Sequence, residues 1–198
     1  MFKKLKSIQW RELIIQMVSV SFGVLFALWI NQWREDQKEK KDQGHALQSI
    51  ANEIAFNKQF LSSRLDYYTT VLHAIDSLNS IPDIQSHYTE IAEYHGLRPP
   101  FLRRSSFDLG LNTGMIRHFD YELSDDISTI YAFQDFFLNV VEMQVSAYIS
   151  QTSNSKKNQV PDEIYEIFKD WKTMGEELIG TYEIISNRLP SANHKMNQ

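Results

Sequence analysis

The stretch LIIQMVSVSFGVLFALWI, residues 13–30, holds eighteen residues without a charge. As an α-helix rising about 1.5 Å per residue it is about 27 Å long, close to the roughly 30 Å hydrocarbon core of a bilayer. Trp10 on one side and Trp29 and Trp33 on the other lie where the aromatic belts of a membrane protein form. We therefore predict a transmembrane helix over residues 13–33, with these three tryptophans at the membrane interfaces.

Two other interpretations of this stretch are a cleaved signal peptide and a buried helix of a soluble core. The apolar run is long for a signal peptide, Gln16 interrupts it, and no small-residue cleavage site follows before Asn31. The polar residues Gln16, Ser19 and Ser21 are too few to form the solvent-facing side of a core helix. The sequence therefore favours a membrane helix.

Basic residues are equally numerous at the two ends of the predicted span. Four precede it and four follow it: Lys3, Lys4, Lys6, Arg11, Arg34, Lys38, Lys40 and Lys41. A short N-terminal tail obeys the positive-inside rule, whereas a long following domain is translocated largely regardless of its charge. We therefore predict a cytoplasmic tail at residues 1–12, an extracytoplasmic domain at 34–190, periplasmic in a Gram-negative bacterium, and a polar tail at 191–198.

Small residues recur along one side of the predicted span. Ser19, Gly23 and Ala27 are spaced by four residues, and Gln16 lies about one turn before Ser19. Small residues at this spacing let two helix backbones approach closely in lipid, and a glutamine side chain can hydrogen-bond across such an interface. An alternative is that such residues are simply common in membrane helices. The pattern makes self-association through the span the leading expectation.

The composition of the rest of the chain excludes several protein classes. The 198 residues include no cysteine, which excludes disulfides, thiolate nucleophiles and cysteine-bound metals. The net charge of −5 combines +3 in residues 1–33 with −8 in residues 34–198. A free nucleic-acid-binding protein usually carries an excess of basic residues. We therefore expect no nucleic-acid partner and an acidic domain outside the membrane.

Beyond the span the pattern is helical. An apolar three-four spacing runs from Leu47 to Leu78, interrupted only by Asn57 and Arg64, and indicates a long helix in a bundle or coiled coil. Proline and capping signals predict a short helix with Ser105 or Ser106 as its N-cap, a helix from Ser124 to about Ser150 and a last helix with Pro161 in its first turn. The helix predicted from Ser124 has apolar residues around more than half of its circumference, among them Phe136 and Met143. We therefore expect it to be the most buried element. The predicted fold is all-α: a transmembrane helix continuing into a long helix, then an up-down-up bundle with a short helical insert.

The anchor resembles that of small single-pass bacterial membrane proteins, best known from Bacteroidetes and classed as a domain of unknown function. Their anchor reads G-h-h-h-A-h-x-I-N-x-W, where h is hydrophobic. Five residues match it: Gly23, Ala27, Ile30, Asn31 and Trp33. A second similarity covers Ser106-Phe107 to Gly114, then Tyr121-Glu122-Leu123 and Tyr131, with Thr113 where the family has serine. The resemblance implies a membrane-anchored helical domain and brings no activity with it.

Catalytic and metal-binding patterns are weak. The six histidines are scattered, without an H-x-x-x-H or E-x-x-H pair on one helix face. His118 beside Asp120 and Glu122 is the nearest approach to a ligand cluster. There is no G-x-S-x-G elbow and no glycine loop of the kind that cradles phosphate. We therefore predict no enzymatic activity, no cofactor, no metal and no catalytic residue.

One group of basic residues surrounds the Pro99-Pro100 loop and the predicted start of the short helix. Its members are Arg98, Arg103, Arg104, Arg117 and His118. Guanidinium groups beside the free N–H groups of a helix N-terminus bind a carboxylate or phosphate well. The alternative is that these arginines pair with acidic residues of the same domain.

Two functions are consistent with this organisation. The first is a membrane-anchored scaffold or accessory subunit that self-associates and binds another membrane or envelope protein. The second is a sensor-like bundle that signals through a partner protein. Because the twelve-residue tail at 1–12 is too short to hold an output domain, we favour the scaffold, in the inner membrane of a bacterium.

Overall fold

The computed structural model describes residues 2–79, 91–152 and 160–189. They form the helices α1 (Phe2–Asn79), α2 (Ser105–Asn112), α3 (Tyr121–Thr152) and α4 (Val160–Ser186), with a short 3₁₀ helix at Met115–His118. No β-strand occurs within the described ranges. The predicted all-α class is confirmed.

The chain divides into two compact units, Met1–Gly44 and His45–Gln198. The described part of the first unit is the N-terminal portion of α1 alone. The second unit contains the remainder of α1 and all the other helices. The second unit thus begins at His45, and the boundary predicted at residue 34 stays a prediction.

In the second unit α1 and α3 run parallel. Glu53 is hydrogen-bonded to Tyr131 and, one turn later in α1, Asn57 is hydrogen-bonded to Gln134, so residue numbers increase in the same direction along both helices. Residues 91–104 make this possible, because they run back along α1 before α2 and α3 begin.

Helix α4 runs antiparallel to α3. Gln134 is hydrogen-bonded to Tyr182 and, further along α3, Gln144 is hydrogen-bonded to Asp170, so residue numbers increase in opposite directions along the two helices. The bundle order is therefore up-up-down, which corrects the predicted up-down-up order. The prediction placed consecutive long helices antiparallel, as short loops do, whereas here a long return segment separates α1 from α3.

The core consists of the apolar faces of these three helices, and its largest side chains are aromatic. The fully buried aromatic residues are Tyr68, Tyr131, Phe137, Phe168, Trp171 and Tyr182. The Tyr68 ring centroid lies 4.8 Å from that of Phe168 and 5.5 Å from that of Trp171. The spacing predicted along α1 is confirmed, since Ile50, Ile54 and Leu61 are completely buried.

The start of α3 and the capping residue of α2 differ from the prediction. Helix α3 begins at Tyr121 rather than Ser124, because the Asp120 carboxylate accepts a hydrogen bond from the Glu122 N–H. Ser124 instead donates to the Ile116 carbonyl. At the start of α2 neither serine is the cap; the residue there is Arg104, which makes no side-chain capping bond.

Helix α3 is less buried than its composition predicts. Phe136 is 58% exposed and Met143 is 65% exposed. Its core contacts use only part of its apolar circumference, since α1 and α4 pack on the same side.

Two glycines of α4 allow a matched test of the packing. A Cβ added at Gly175 would lie 2.7 Å from Leu65 Cδ2, whereas one at Gly180 would meet nothing within 4 Å. Alanine gains about 0.5–1 kcal/mol over glycine in a helix, but overpacking a core costs about 1–3 kcal/mol. We expect Gly180→Ala to raise the free energy of unfolding and Gly175→Ala to lower it, as measured by denaturant titration. Equal gains from both variants would show that Leu65 yields freely.

Candidate functional site

The first candidate surface is the apolar part of α1. Its side chains are exposed from Leu13 to Trp29; Leu13, Phe22 and Leu28, for example, are 51%, 69% and 61% exposed. The most apolar eighteen-residue window has a mean hydropathy of 2.2, and none of it is buried. Helix α1 is therefore long and apolar enough to cross a membrane.

The predicted helix-packing residues Gln16, Ser19, Gly23 and Ala27 are all exposed on this part of α1. A Cβ placed on Gly23 would meet nothing within 4 Å, so the described structure leaves this face open. The predicted interface tryptophans Trp10, Trp29 and Trp33 are likewise exposed, by 62%, 64% and 56%.

The helix surface changes character directly after the apolar stretch. Asn31 donates a hydrogen bond to Glu35 and Gln32 donates one to Asp36, both at 2.9 Å and both four residues along the helix. These polar side chains are satisfied on the helix itself. The transition from an apolar to a polar surface thus takes about one turn.

The second candidate site is a polar network between α1 and the return segment. Pro99 and Pro100 lack an N–H and cannot continue a helix, so the backbone around them needs side-chain partners. Tyr67 donates to the Gly96 carbonyl at 2.6 Å, and Tyr68 donates to the Arg98 carbonyl at 2.7 Å. Two tyrosines of α1 thereby hold the returning chain.

Asn57 lies at the centre of this network and is completely buried. Its amide donates to the Arg103 carbonyl and accepts from the Arg103 N–H, both at 2.7 Å. It also donates to Gln134 Oε1, which accepts a further hydrogen bond from the Tyr182 hydroxyl at 2.6 Å. One buried amide therefore connects α1, the return segment and α3, and through Gln134 also α4.

Glu53 is the acidic member of the network and is only 5% exposed. Its Oε2 accepts hydrogen bonds from the Ser106 N–H at 2.8 Å and the Ser105 hydroxyl at 3.0 Å. Its Oε1 accepts from the Tyr131 hydroxyl at 2.7 Å and more weakly from the Phe107 N–H at 3.4 Å. A carboxylate from α1 therefore binds the first N–H groups of α2, where the helix dipole favours negative charge.

The start of α2 is already occupied by an anionic side chain of the same chain. The basic group predicted an anion at the start of α2, and the structure places the Glu53 carboxylate of the same chain there. Arg104 forms ion pairs with Asp108, at 2.8 Å, and with Asp135. Arg103 lies over the Phe56 ring at 3.6 Å and Arg98 over the Tyr67 ring at 5.0 Å. The chain itself thus supplies a partner for each of these three arginines.

The other two predicted residues lie beyond the opposite end of α2. Arg117 and His118 are exposed on the 3₁₀ helix. Arg117 lines a shallow hollow of about 340 Å³ together with apolar side chains including Leu111, Phe119 and Tyr121. The five predicted residues therefore divide between the two ends of α2.

The chemistry of the network is that of structural hydrogen bonding. Burial, and then the hydrogen bond to Glu53, raise the pKa of Tyr131 above its ordinary value. Burial also raises the pKa of Tyr182. Both hydroxyls therefore stay protonated and remain donors at neutral pH. Among the described residues no group of three or more His, Asp or Glu could hold a metal ion.

These tyrosines make the domain sensitive to alkali. An unfolded tyrosine ionises near pH 10, whereas the folded chain retains the protons of Tyr131 and Tyr182 above that pH. Their contribution to stability is thus fully present below about pH 10 and is lost as the pH rises beyond it, by about 1.4 kcal/mol per pH unit for each tyrosine. Denaturant titrations at about pH 9 and pH 11 should show this loss, with a smaller loss for Tyr182→Phe.

Sequence reasoning missed Glu53, Gln134 and Tyr182 as members of this network. Asn57 did leave a signal, because it interrupts an otherwise apolar spacing on α1. A polar residue at a buried helix position requires a partner, but the spacing does not say which one.

Comparison of the chain with protein-family models, with curated proteins and with solved structures finds no match.

Proposed function

We propose that this protein is a single-pass, membrane-anchored helical scaffold or accessory subunit that self-associates and binds a partner protein, without catalysis of its own. The observation that carries the proposal is the exposed apolar surface of α1 over residues 13–30. Keeping apolar surface in water costs about 25 cal/mol per Å², so lipid is the environment that suits this segment. The same helix then supplies the core residues of a packed bundle.

The proposed location is the inner membrane of a bacterium, with residues 1–12 in the cytoplasm and the bundle outside it. The support is the basic residues Lys3, Lys4, Lys6 and Arg11 that precede the apolar stretch. The resemblance of the anchor to single-pass proteins of Bacteroidetes agrees with this location.

The arrangement of the buried polar groups favours the scaffold over the sensor-like alternative. The side chains of Glu53, Asn57 and Gln134 form their hydrogen bonds with backbone groups of the same chain: the Ser106 N–H for Glu53, the Arg103 N–H for Asn57 and the Arg103 carbonyl for Gln134. Such saturated groups hold helices together and are not directed at a ligand. A sensor would instead use an accessible site such as the hollow beside Arg117.

Crosslinking in native membranes followed by purification of the full chain tests the scaffold proposal. We expect membrane fractionation, homo-oligomers and a reproducible membrane or envelope protein as partner. Recovery of the chain from the soluble fraction, or of monomers without any partner, would contradict it.

Gly23 provides a matched test of association through the anchor. Gly23→Ile places a branched side chain on the small-residue face and should weaken association in a transmembrane assay of residues 10–34, whereas Val24→Ile leaves that face unchanged. If Gly23→Ile associates as strongly as Val24→Ile, this face does not mediate association.

A further inference from the structure

Helix α3 carries a second apolar face that the core of its own bundle does not cover. We name it the outer stripe, and its members are Ala132, Phe136, Val140, Met143 and Ala147. Spacings of three and four residues place them on one side of the helix. Phe136 and Met143 are 58% and 65% exposed. Large apolar side chains grouped on a surface mark a site of interaction.

The outer stripe is uncharged although the domain around it is acidic. Residues 34–198 carry a net charge of −8, yet between residues 127 and 152 only Asp135 and Glu142 are charged. At 3.6 residues per turn they lie about 100° and about 120°, respectively, around the helix from the centre of the stripe. Asp135 is also ion-paired with Arg104. A second copy of this acidic domain could approach along the stripe without bringing like charges together.

The size of the stripe indicates a partner that is already held nearby. If a whole large side chain presents roughly 200 Å², the exposed parts of Phe136 and Met143 amount to about 250 Å² per chain. Two copies would bury about 500 Å² through these side chains, below the roughly 1,200 Å² of a stable interface. Two chains anchored in the same membrane have a high effective concentration, which compensates for a small contact.

We propose that the outer stripe of α3 is a homodimer interface along which two copies pack their α3 helices side by side in parallel. The proposal rests on the proposed membrane anchor, because it needs both copies in one membrane. Two identical helices that pack side by side in parallel are related by a two-fold axis along their length. That symmetry places Phe136 opposite Phe136 of the second copy, and Met143 opposite its own counterpart.

Single cysteines test this geometry, because the chain contains none. Met143→Cys in the full chain, oxidised in native membranes, should give a disulfide-linked dimer in at least about tenfold higher yield than Glu177→Cys, which is exposed on α4. In the Met143→Cys background, Phe136→Glu should lower that yield about tenfold, because it places two carboxylates opposite each other. Ile184→Glu is the matched control, since Ile184 is an apolar residue of α4 that is 68% exposed.

The outcomes separate this inference from the proposed function. Equal yields from Met143→Cys and Glu177→Cys in protein that fractionates with membranes would overturn the dimer interface and leave the anchor proposal standing. Crosslinking of Met143→Cys to a different protein would also overturn it. Loss of membrane fractionation would instead contradict the proposed function. If Phe136→Glu changes the circular dichroism of the bundle, Phe136→Ser in the Met143→Cys background takes its place in the test. The yield of the disulfide-linked dimer is again expected to fall.

Discussion

Glu53→Ala should lower the free energy of unfolding of the bundle by about 3–5 kcal/mol, because each buried donor left without its acceptor costs roughly 1–3 kcal/mol. The substitution deprives four donors of their acceptor: the Ser105 and Tyr131 hydroxyls and the N–H groups of Ser106 and Phe107. Denaturant titration of the detergent-solubilised chain, followed by near-ultraviolet circular dichroism, measures the loss.

Glu177→Ala is the matched control for this prediction. Glu177 is a glutamate exposed on α4, and removing such a side chain usually changes stability by less than about 0.5 kcal/mol. The local effect of Glu53→Ala should fall on α2, whose amide protons should exchange with solvent faster than those of α4. If Glu53→Ala costs no more than Glu177→Ala, water satisfies the donors and the carboxylate does not hold α2 in place.

Two arginines in the middle of the apolar stretch should release the chain from the membrane. Arginine near the centre of a transmembrane helix costs about 2.5–3.5 kcal/mol, and the apolar residue it replaces contributes about −0.3 to −0.6 kcal/mol. Val20→Arg with Leu25→Arg therefore costs about 6–8 kcal/mol of insertion free energy. Alkaline extraction of membranes, followed by immunodetection of the full chain, measures the released fraction.

The control for the anchor carries the same added charge outside the uncharged stretch at residues 13–30. Gln32→Arg with Gln37→Arg lies on the polar part of α1, where both residues are exposed. This variant should stay in the membrane pellet like the unmodified chain. Equal release of both double variants would mean that residues 13–30 do not anchor the protein.

Much of the secondary structure could be predicted from local patterns. The apolar faces of α1 and α4 recur with the period of a helix, and Pro161 occupies the first turn of α4 as predicted. The start of α3 was missed because two capping signals, Asp120 and Ser124, lie four residues apart. Only the hydrogen bond to the Glu122 N–H decides between them.

The anion site predicted for the basic residues stays a prediction. The structure places the Glu53 carboxylate of the same chain at the start of α2. The residue that supplies this carboxylate could not be predicted. Glu53 lies more than fifty residues before Ser106, and its neighbours in the sequence do not distinguish it from any other glutamate of a helix. Arg104 shows the same limit, because its partner Asp135 belongs to a helix whose direction was predicted wrongly.

The sequence by itself determined the features that depend on neighbouring residues. The uncharged stretch at 13–30, the helical period of the following segments and the acidic charge of residues 34–198 are local properties of composition and spacing. Only the tertiary structure decided that α3 runs parallel to α1, that Glu53 caps α2 and that one apolar face of α3 remains exposed. These features depend on which distant residues meet, because a buried polar group is satisfied by whichever partner the packed chain brings within hydrogen-bonding distance.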